Sequence, residues 1–212
     1  MRESISTKVL EKNYLIIKEF LGHIPSIDQM AKNSIYPVSL YLKYYGTWYN
    51  FLGKMNNLTF IEKNLPTIIL NFFQLLEETK MTKSYKMGLF LILFNKKMSL
   101  KQSYSLEEIA INFKELYTNF PFNLDFQGKK FNNLEDWELK NYETLILSNP
   151  IHYLTENKNS DFFIFKNDNF ILSDSLYFQL KNNTSVLDEI INRIHYRLFY
   201  YFKQNFNISY EY

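Results

Sequence analysis

Helical periodicity is the feature that most constrains the fold of this chain. Apolar side chains recur at three- and four-residue spacing through most of its length, and only five glycines and five prolines punctuate 212 residues. So few turn-forming residues argue against a turn-dense all-β fold. Seventeen tyrosines and twenty phenylalanines supply ample material for a packed core, which excludes wholesale disorder. We therefore expect a mainly α protein.

A run of short helices is predicted for the N-terminal part of the chain. Residues that favour helix ends divide it into four segments: Thr7–Leu21 closed by Gly22, Ser26–Lys32, Pro37–Gly46 and a segment capped by Thr47. Each segment is too short to be stable as an isolated helix. We therefore expect a small helical subdomain over residues 1–63, followed by a helical domain over residues 64–212.

The second domain has longer helical segments and one strong β signal. The predicted helices are Pro66–Lys80, Ser84–Asn95, one capped by Ser105, one running from Asn133 to Pro150, and Val186–Phe206. Two apolar runs, Phe162–Phe165 and Phe170–Leu172, flank the turn-forming Lys166–Asn169 and predict a β-hairpin at about 162–172. Three helices followed by a hairpin is the order of a winged helix, and generic packing of helices on a hairpin produces it too. The predicted fold class is mainly α, with an N-terminal bundle of short helices and then a helical, winged-helix-like unit with one β-hairpin.

Several kinds of site are excluded or disfavoured by composition. The chain has no cysteine, so disulfides, thiolate metal sites and thiol nucleophiles are excluded, which fits a reducing compartment. His23, His152 and His195 do not stand at a metal-ligand spacing, and each is more typical of a structural histidine. No glycine-rich phosphate loop occurs, because Gly128-Lys129-Lys130 lacks its flanking glycine. We expect no cofactor, no metal and no ATPase activity.

The start of the chain and its hydropathy predict a cytoplasmic protein. Met1-Arg2-Glu3-Ser4 opens a polar stretch unlike a signal peptide. The longest strongly apolar run, Met87–Phe94, is far shorter than the roughly 20 residues of a membrane span. We therefore expect no membrane partner.

One arrangement of charged residues resembles the site of a magnesium-dependent nuclease. Asp125 followed by Glu138-Leu139-Lys140 has the spacing of two metal-binding acids and a lysine that supports the attacking water. Those enzymes place the acid and the lysine on a β-strand. Here the surrounding pattern is helical, and residues two apart on a helix point about 200° apart. We therefore expect a protein without enzymatic activity.

Lysines concentrate in the middle of the chain, although the net charge is only +2. Between residues 80 and 101 there are six lysines, at positions 80, 83, 86, 96, 97 and 101, and no acid. Such a window is typical of a phosphate-contacting patch, and equally of an ordinary solvated surface. As candidate nucleic-acid-binding residues we select six lysines and one tyrosine: Lys43, Lys54, Lys83, Tyr85, Lys86, Lys96 and Lys97.

The stretch that follows is acidic. Between Glu107 and Glu143 there are eight acids against four lysines. The helix predicted to start at Asn133 carries Glu135, Asp136 and Glu138 in its first turns, which argues against reading bases in the major groove. These three acids are our candidate partner-binding residues for a protein contact. In the last helix, Arg193 and Arg197 follow Glu189 on one face and predict an intrahelical ion-pair ladder.

Three stretches of the chain are similar to accessory regions of known DNA-processing proteins. The stretches are Leu21–Ser26 with Tyr36-Pro37 and Lys43–Leu52, then Met81–Met87, and less distinctively Ile194–Phe202. The first resembles a short helical repeat found beside homing endonucleases and in the C-terminal regions of large DEAD/DEAH-box helicases of bacterial restriction and phage defence. The second resembles a segment that follows it in such helicases. Because the motor and nuclease motifs are missing, the resemblance implies a DNA-associated accessory module of bacterial or phage origin.

Two functions are therefore expected from the sequence. The first is a non-catalytic module that contacts the phosphate backbone of DNA without reading sequence, within a DNA-processing or phage-defence system. The alternative is an interaction module or inhibitor that docks on a helicase, a nuclease or another defence protein. The acidic stretch and the many tyrosines, a residue type enriched at interfaces, favour the alternative.

Overall fold

The computed structural model describes residues 5–94, 100–127, 136–156 and 161–211. It is mainly helical with a small antiparallel sheet, so the predicted fold class is confirmed. The described helices are α1 (Thr7–Leu21), α2 (Ile27–Asn33), α3 (Val38–Tyr45), α4 (Trp48–Lys54), α5 (Phe60–Lys63), α6 (Thr67–Glu78), α7 (Tyr85–Leu93), α8 (Leu106–Thr118), α9 (Leu139–Ile146), α10 (His152–Thr155), α11 (Asp174–Lys181) and α12 (Thr184–Phe206). The described strands are β1 (Ser103–Ser105), β2 (Phe163–Lys166) and β3 (Asn169–Leu172). None of these helices combines the length and hydropathy that crossing a membrane requires.

Local capping explains why most helix ends agree with the sequence prediction. The Thr47 hydroxyl accepts the Asn50 N–H at 3.1 Å at the start of α4, and the Ser105 hydroxyl accepts the Glu108 N–H at 3.1 Å at the start of α8. At the end of α1, Gly22 has a φ of 72°, the left-handed conformation in which glycine has no steric penalty. These helix ends depend on residues that are close in sequence, so they can be predicted from the sequence.

The sheet contains one strand more than the predicted hairpin. The turn residues Asn167 and Asp168 both have positive φ values, of 50° and 55°, as a two-residue type I′ turn requires. The additional strand, β1, pairs antiparallel with β3, so the strand order is β1-β3-β2. Because β1 is only three residues long, it has too few alternations for the sequence to reveal it.

The α-helices and strands from α7 to β3 follow the order helix, strand, three helices (α8, α9 and α10), strand, strand. The strand order of the sheet is β1-β3-β2, and the winged-helix arrangement stays a prediction. The third helix is shorter than predicted: α9 begins at Leu139 and Glu138 caps it, while the predicted start at Asn133 lies outside the described residues. The helical path is interrupted just before Pro150, as predicted: α9 ends at Ile146, Asn149 has an extended, non-helical backbone, and α10 begins only at His152.

The long helix α12 packs into both hydrophobic clusters of the structure. Tyr196 and Phe199 belong to a cluster built by α1 to α4. Ile194, Leu198 and Phe202 belong to a larger cluster that includes α6 to α9 and the sheet. The division at about residue 63 stays a prediction, but α12 shows how the N-terminal helices are held against the rest of the chain.

A buried ion pair also joins the N-terminal helices to the rest of the chain. The Arg193 Nε donates to the Glu77 carboxylate at 2.8 Å, and both side chains are almost fully buried. The same carboxylate accepts the backbone N–H of Trp48 at 3.1 Å. The predicted Glu189–Arg193 pair is present at 2.6 Å, but the ladder stops there. Arg197 instead donates to backbone carbonyls at the end of α6.

We expect Gly88→Ala to destabilise the protein although alanine favours helices. A Cβ at Gly88 would lie 2.5 Å from the Tyr117 hydroxyl oxygen, and the Tyr117 ring is buried and stacked on Phe113 with the centroids 4.1 Å apart. Overpacking of this kind costs about 1–3 kcal/mol, more than the helix propensity that alanine regains. Chemical denaturation should show a net loss of about 1–2 kcal/mol in the free energy of unfolding.

Gly53→Ala is the matched control for this prediction. A Cβ there would meet only the flexible end of Leu58, at 3.3 Å. We expect this variant to be as stable as the parent or slightly more stable. Equal stability of the Gly88 and Gly53 variants would contradict the packing argument.

Candidate anion-binding pocket

Three lysines line one pocket beside the start of α7. Lys80 and Lys83 lie on the connection between α6 and α7, and Lys86 lies in the first turn of α7. The lining also includes Asn149, from the segment between α9 and α10, and Tyr153 of α10. We call this space of about 360 Å³ the basic pocket; it is lined by Lys80, Thr82, Lys83, Lys86, Asn149 and Tyr153.

A buried carboxylate holds the connection that carries Lys83. The Asp125 side chain is fully buried and accepts both the backbone N–H of Ser84, at 2.8 Å, and its hydroxyl, at 2.6 Å. The hydroxyl of Tyr201 on α12 donates to the other oxygen of the same carboxylate. Lys83 lies at the rim of this network, with its Nζ donating to the Asp125 backbone carbonyl at 2.9 Å. The basic pocket is therefore built on a rigid, hydrogen-bonded base.

Lys86 is held at the inner side of the pocket by neutral groups. Its Nζ donates to the Thr79 hydroxyl at 3.3 Å and to the Lys80 carbonyl at 3.2 Å, and it lies 5.4 Å from the centre of the Tyr153 ring. Burial, and then the positive charge of Arg197, lower the pKa of Lys86 from its ordinary value. Burial and the Arg197 charge both disfavour the protonated form of Lys86, so a bound anion would stabilise that protonated form.

Positive charge exceeds negative charge around the basic pocket. In the described part of the chain, one of these three amines has a carboxylate partner: Lys83 Nζ lies 3.6 Å from Asp125 Oδ1. Lys80 is exposed, and its backbone carbonyl, not its amine, takes part in the contact with Lys86. Three lysines with one nearby carboxylate, paired with Lys83, form an arrangement that attracts anions.

The structure brings together some of the predicted nucleic-acid-binding residues and separates others. Lys83 and Lys86 share the basic pocket. Lys43 on α3 and Lys54 on α4 are exposed on the N-terminal helices and do not line it. Lys96 and Lys97 lie outside the described residues. The last lysine of the basic window, Lys101, pairs with Glu108 at 2.6 Å.

The expectation that Tyr85 contacts nucleic acid is corrected by the structure. Its side chain is only 4% exposed, and its ring packs against Phe113, Tyr117 and Phe126. A ring enclosed in this way cannot stack on a base. The first turn of α7 directs Lys86 toward the pocket and Tyr85 into the core.

The predicted partner-binding acids are exposed where they are described. Asp136 and Glu138 both lie on the surface, and Glu135 lies outside the described residues. Glu138 is the N-cap of α9, where its side chain and that of Asn141 form a capping box. This capping role accounts for an acidic residue at position 138 without a binding partner.

The arrangement that resembled a nuclease site is not assembled in the described structure. The Asp125 carboxylate is occupied by Ser84 and Tyr201, while Lys140 pairs with Glu143 at 3.1 Å on the exposed face of α9. Among the described residues, no three histidine or acidic side chains form a group that could hold a metal ion.

Sequence reasoning did not select four of the residues that line the basic pocket. Lys80 had a signal, because positions 80, 83 and 86 recur every three residues within the acid-free window. Thr82, Asn149 and Tyr153 had none, since two of them join the site only through the turn between α9 and α10.

Comparisons of the chain with protein-family models, with curated proteins and with solved structures found no match.

Proposed function

We propose that this protein is a non-catalytic accessory module that binds the sugar-phosphate backbone of nucleic acid. The observation that carries the proposal is the basic pocket, which Lys80, Lys83 and Lys86 line together and where Lys83 alone pairs with a carboxylate, that of Asp125. Ammonium groups of this kind contact phosphates in a sequence-independent way. The resemblance to accessory regions of defence helicases agrees with this proposal and suggests a role in DNA processing or phage defence.

Base-specific reading is not part of the proposal. In a DNA-reading winged helix the third helix enters the major groove, where acidic side chains are repelled by phosphates. Here the corresponding helix, α9, is preceded by the exposed acids Asp136 and Glu138. The lysines of the basic pocket lie before and at the start of α7 instead, so binding depends on backbone charge.

Salt dependence is the direct test of this function. We expect a labelled oligonucleotide, followed by fluorescence anisotropy between about 50 and about 200 mM salt, to bind more weakly as salt rises. Three phosphate contacts on a single strand correspond to a slope of about −2 in log K against log salt. Replacing Lys80, Lys83 and Lys86 together with glutamine should reduce the magnitude of this slope by about 2 and lower the affinity at least about tenfold.

A matched control carries the same change in net charge away from the pocket. Lys8, Lys12 and Lys181 are exposed lysines that do not line it, and their replacement by glutamine should leave most of the salt slope intact. Equal losses in the two triple variants would reduce the effect to net charge and defeat the assignment to this pocket. Binding that does not respond to salt, or no binding to single strands or duplexes, would defeat the function itself.

The alternative, a protein-docking module, is favoured by one specific observation. The outer face of α1 carries an apolar strip of Val9, Ile16 and Phe20, of which Phe20 is 78% exposed. If no nucleic acid binds, a stoichiometric complex with a purified helicase or nuclease after nuclease treatment, lost on Phe20→Ser, would support this alternative.

A further inference from the structure

We propose that the basic pocket takes the terminal phosphate of a single-stranded nucleic acid, with the adjoining nucleotide against Tyr153. This inference rests on the proposed function and names the part of the polymer that the pocket receives. It is carried by the volume of the pocket, by the number of amines in it and by the exposed aromatic ring on its wall.

The volume of the pocket fits a single group and not a length of duplex. About 360 Å³ lies at the small end of the range for ligand pockets. A nucleotide at the end of a strand can enter such a space, because one side of it is free of the chain. A phosphate within a duplex is flanked by neighbours and held on a convex surface.

The charge of the pocket fits a phosphomonoester better than a phosphodiester. An internal phosphodiester carries one negative charge, whereas a terminal phosphate carries about 1.5 to 2 at neutral pH because its second pKa is near 6. Lys80, Lys83 and Lys86 all line one space, and Asp125 offsets part of the charge of Lys83. The charge that remains is close to that of a dianion.

Tyr153 gives the pocket a surface for a base. Tyr153 is 52% exposed and lines the pocket; Lys86 Nζ lies 5.4 Å from the centre of its ring, and the His152 ring contacts it edge-on with the ring centroids 5.0 Å apart. Unpaired bases stack on exposed aromatic rings, which contributes about 1–3 kcal/mol per base independently of sequence. Asn149 and Thr82 add side-chain hydrogen-bond donors at the same place. A phosphate among the amines and a base on the ring together describe one nucleotide.

The test compares three oligonucleotides of one sequence, with a 5′ phosphate, with a 3′ phosphate, or with hydroxyl groups at both ends. Fluorescence anisotropy at moderate salt should show at least one phosphorylated form binding about tenfold more tightly than the dihydroxyl form, equivalent to about 1.4 kcal/mol. Lys86→Gln should abolish this preference, and Tyr153→Leu should weaken the binding of all three. Lys8→Gln, a matched exposed lysine, should retain the preference.

Failure of the inference is distinguishable from failure of the proposed function. Equal binding of the three oligonucleotides, with a salt slope that still depends on the three lysines, would overturn the terminal-phosphate assignment and leave backbone binding in place. A nucleoside monophosphate that binds as tightly as the phosphorylated oligonucleotide would overturn the strand-end assignment in favour of a free nucleotide. Absence of binding at any salt concentration would remove both.

Discussion

Arg193→Met should lower the free energy of unfolding by about 3–5 kcal/mol at neutral pH, because it leaves the buried Glu77 carboxylate without its charged partner. Both side chains are at most 1% exposed, and the Arg193 Nε–Glu77 distance is 2.8 Å. Among the described residues, the hydrogen-bond donor that remains for this carboxylate is the backbone N–H of Trp48, at 3.1 Å. Urea denaturation followed by circular dichroism measures the loss.

The stability difference between Arg193→Met and the parent protein should become smaller as the pH falls. Burial raises the pKa of Glu77 above its ordinary value near 4.5, and Arg193 opposes that rise. Without Arg193 the folded variant binds a proton more readily than the unfolded chain, so its stability falls as the pH rises above that ordinary value. The difference from the parent should therefore be larger at pH 7 than at pH 5.

An exposed ion pair provides the control for Arg193. Lys140 pairs with Glu143 at 3.1 Å, but its side chain is 80% exposed. Lys140→Met should change the free energy of unfolding by less than about 1 kcal/mol. If the Arg193 variant were equally mild, or if its loss did not depend on pH, the buried pair would not be what joins α6 to α12.

Asp125→Ala should be the second most damaging single change, at about 2–4 kcal/mol. The substitution removes the acceptor for the Ser84 N–H and for the Tyr201 hydroxyl, both of which are buried. Each buried donor left without a partner costs about 1–3 kcal/mol. The Ser84 hydroxyl is affected less, because it lies 2.7 Å from the hydroxyl of Tyr117. Thermal and chemical denaturation both report the loss.

A double-mutant cycle isolates this network from a simple loss of packing. Tyr201→Phe removes one of the two stranded donors, so the double variant should be more stable than the sum of the single losses predicts, by at least about 0.5 kcal/mol. Asp136→Ala, at an exposed acid, should lie within about 0.5 kcal/mol of the parent. Strict additivity would mean that Asp125 and Tyr201 act independently.

Function and stability should separate in these variants. Asp125 holds the base of the connection that carries Lys83, through Ser84, and does not itself line the basic pocket. The lysine variants that test nucleic-acid binding change groups at the pocket's surface instead, so they should fold normally.

Interactions between residues that lie within about four positions of each other could be predicted directly from the sequence. The Ser105 cap of α8, the Gly22 end of α1 and the hairpin turn at Asn167 and Asp168 are all set by such short-range geometry. The nearly apolar α7 segment likewise signalled a central, buried helix. The caps and the turn involve residues that are neighbours along the chain, whereas the burial of α7 was indicated by its composition alone.

Which surfaces meet was decided by packing between distant elements. Arg193 stands one turn after Glu189 in sequence, yet its most buried partner is Glu77, 116 residues away. Tyr85 lies among lysines in sequence and among aromatic rings in space, while Tyr153 completes a pocket whose lysines lie about seventy residues earlier. Periodicity identifies the face of a helix that is buried, but the partner of that face depends on the arrangement of all the helices. For that reason the lysine-rich window was visible in the sequence and the basic pocket only in the fold.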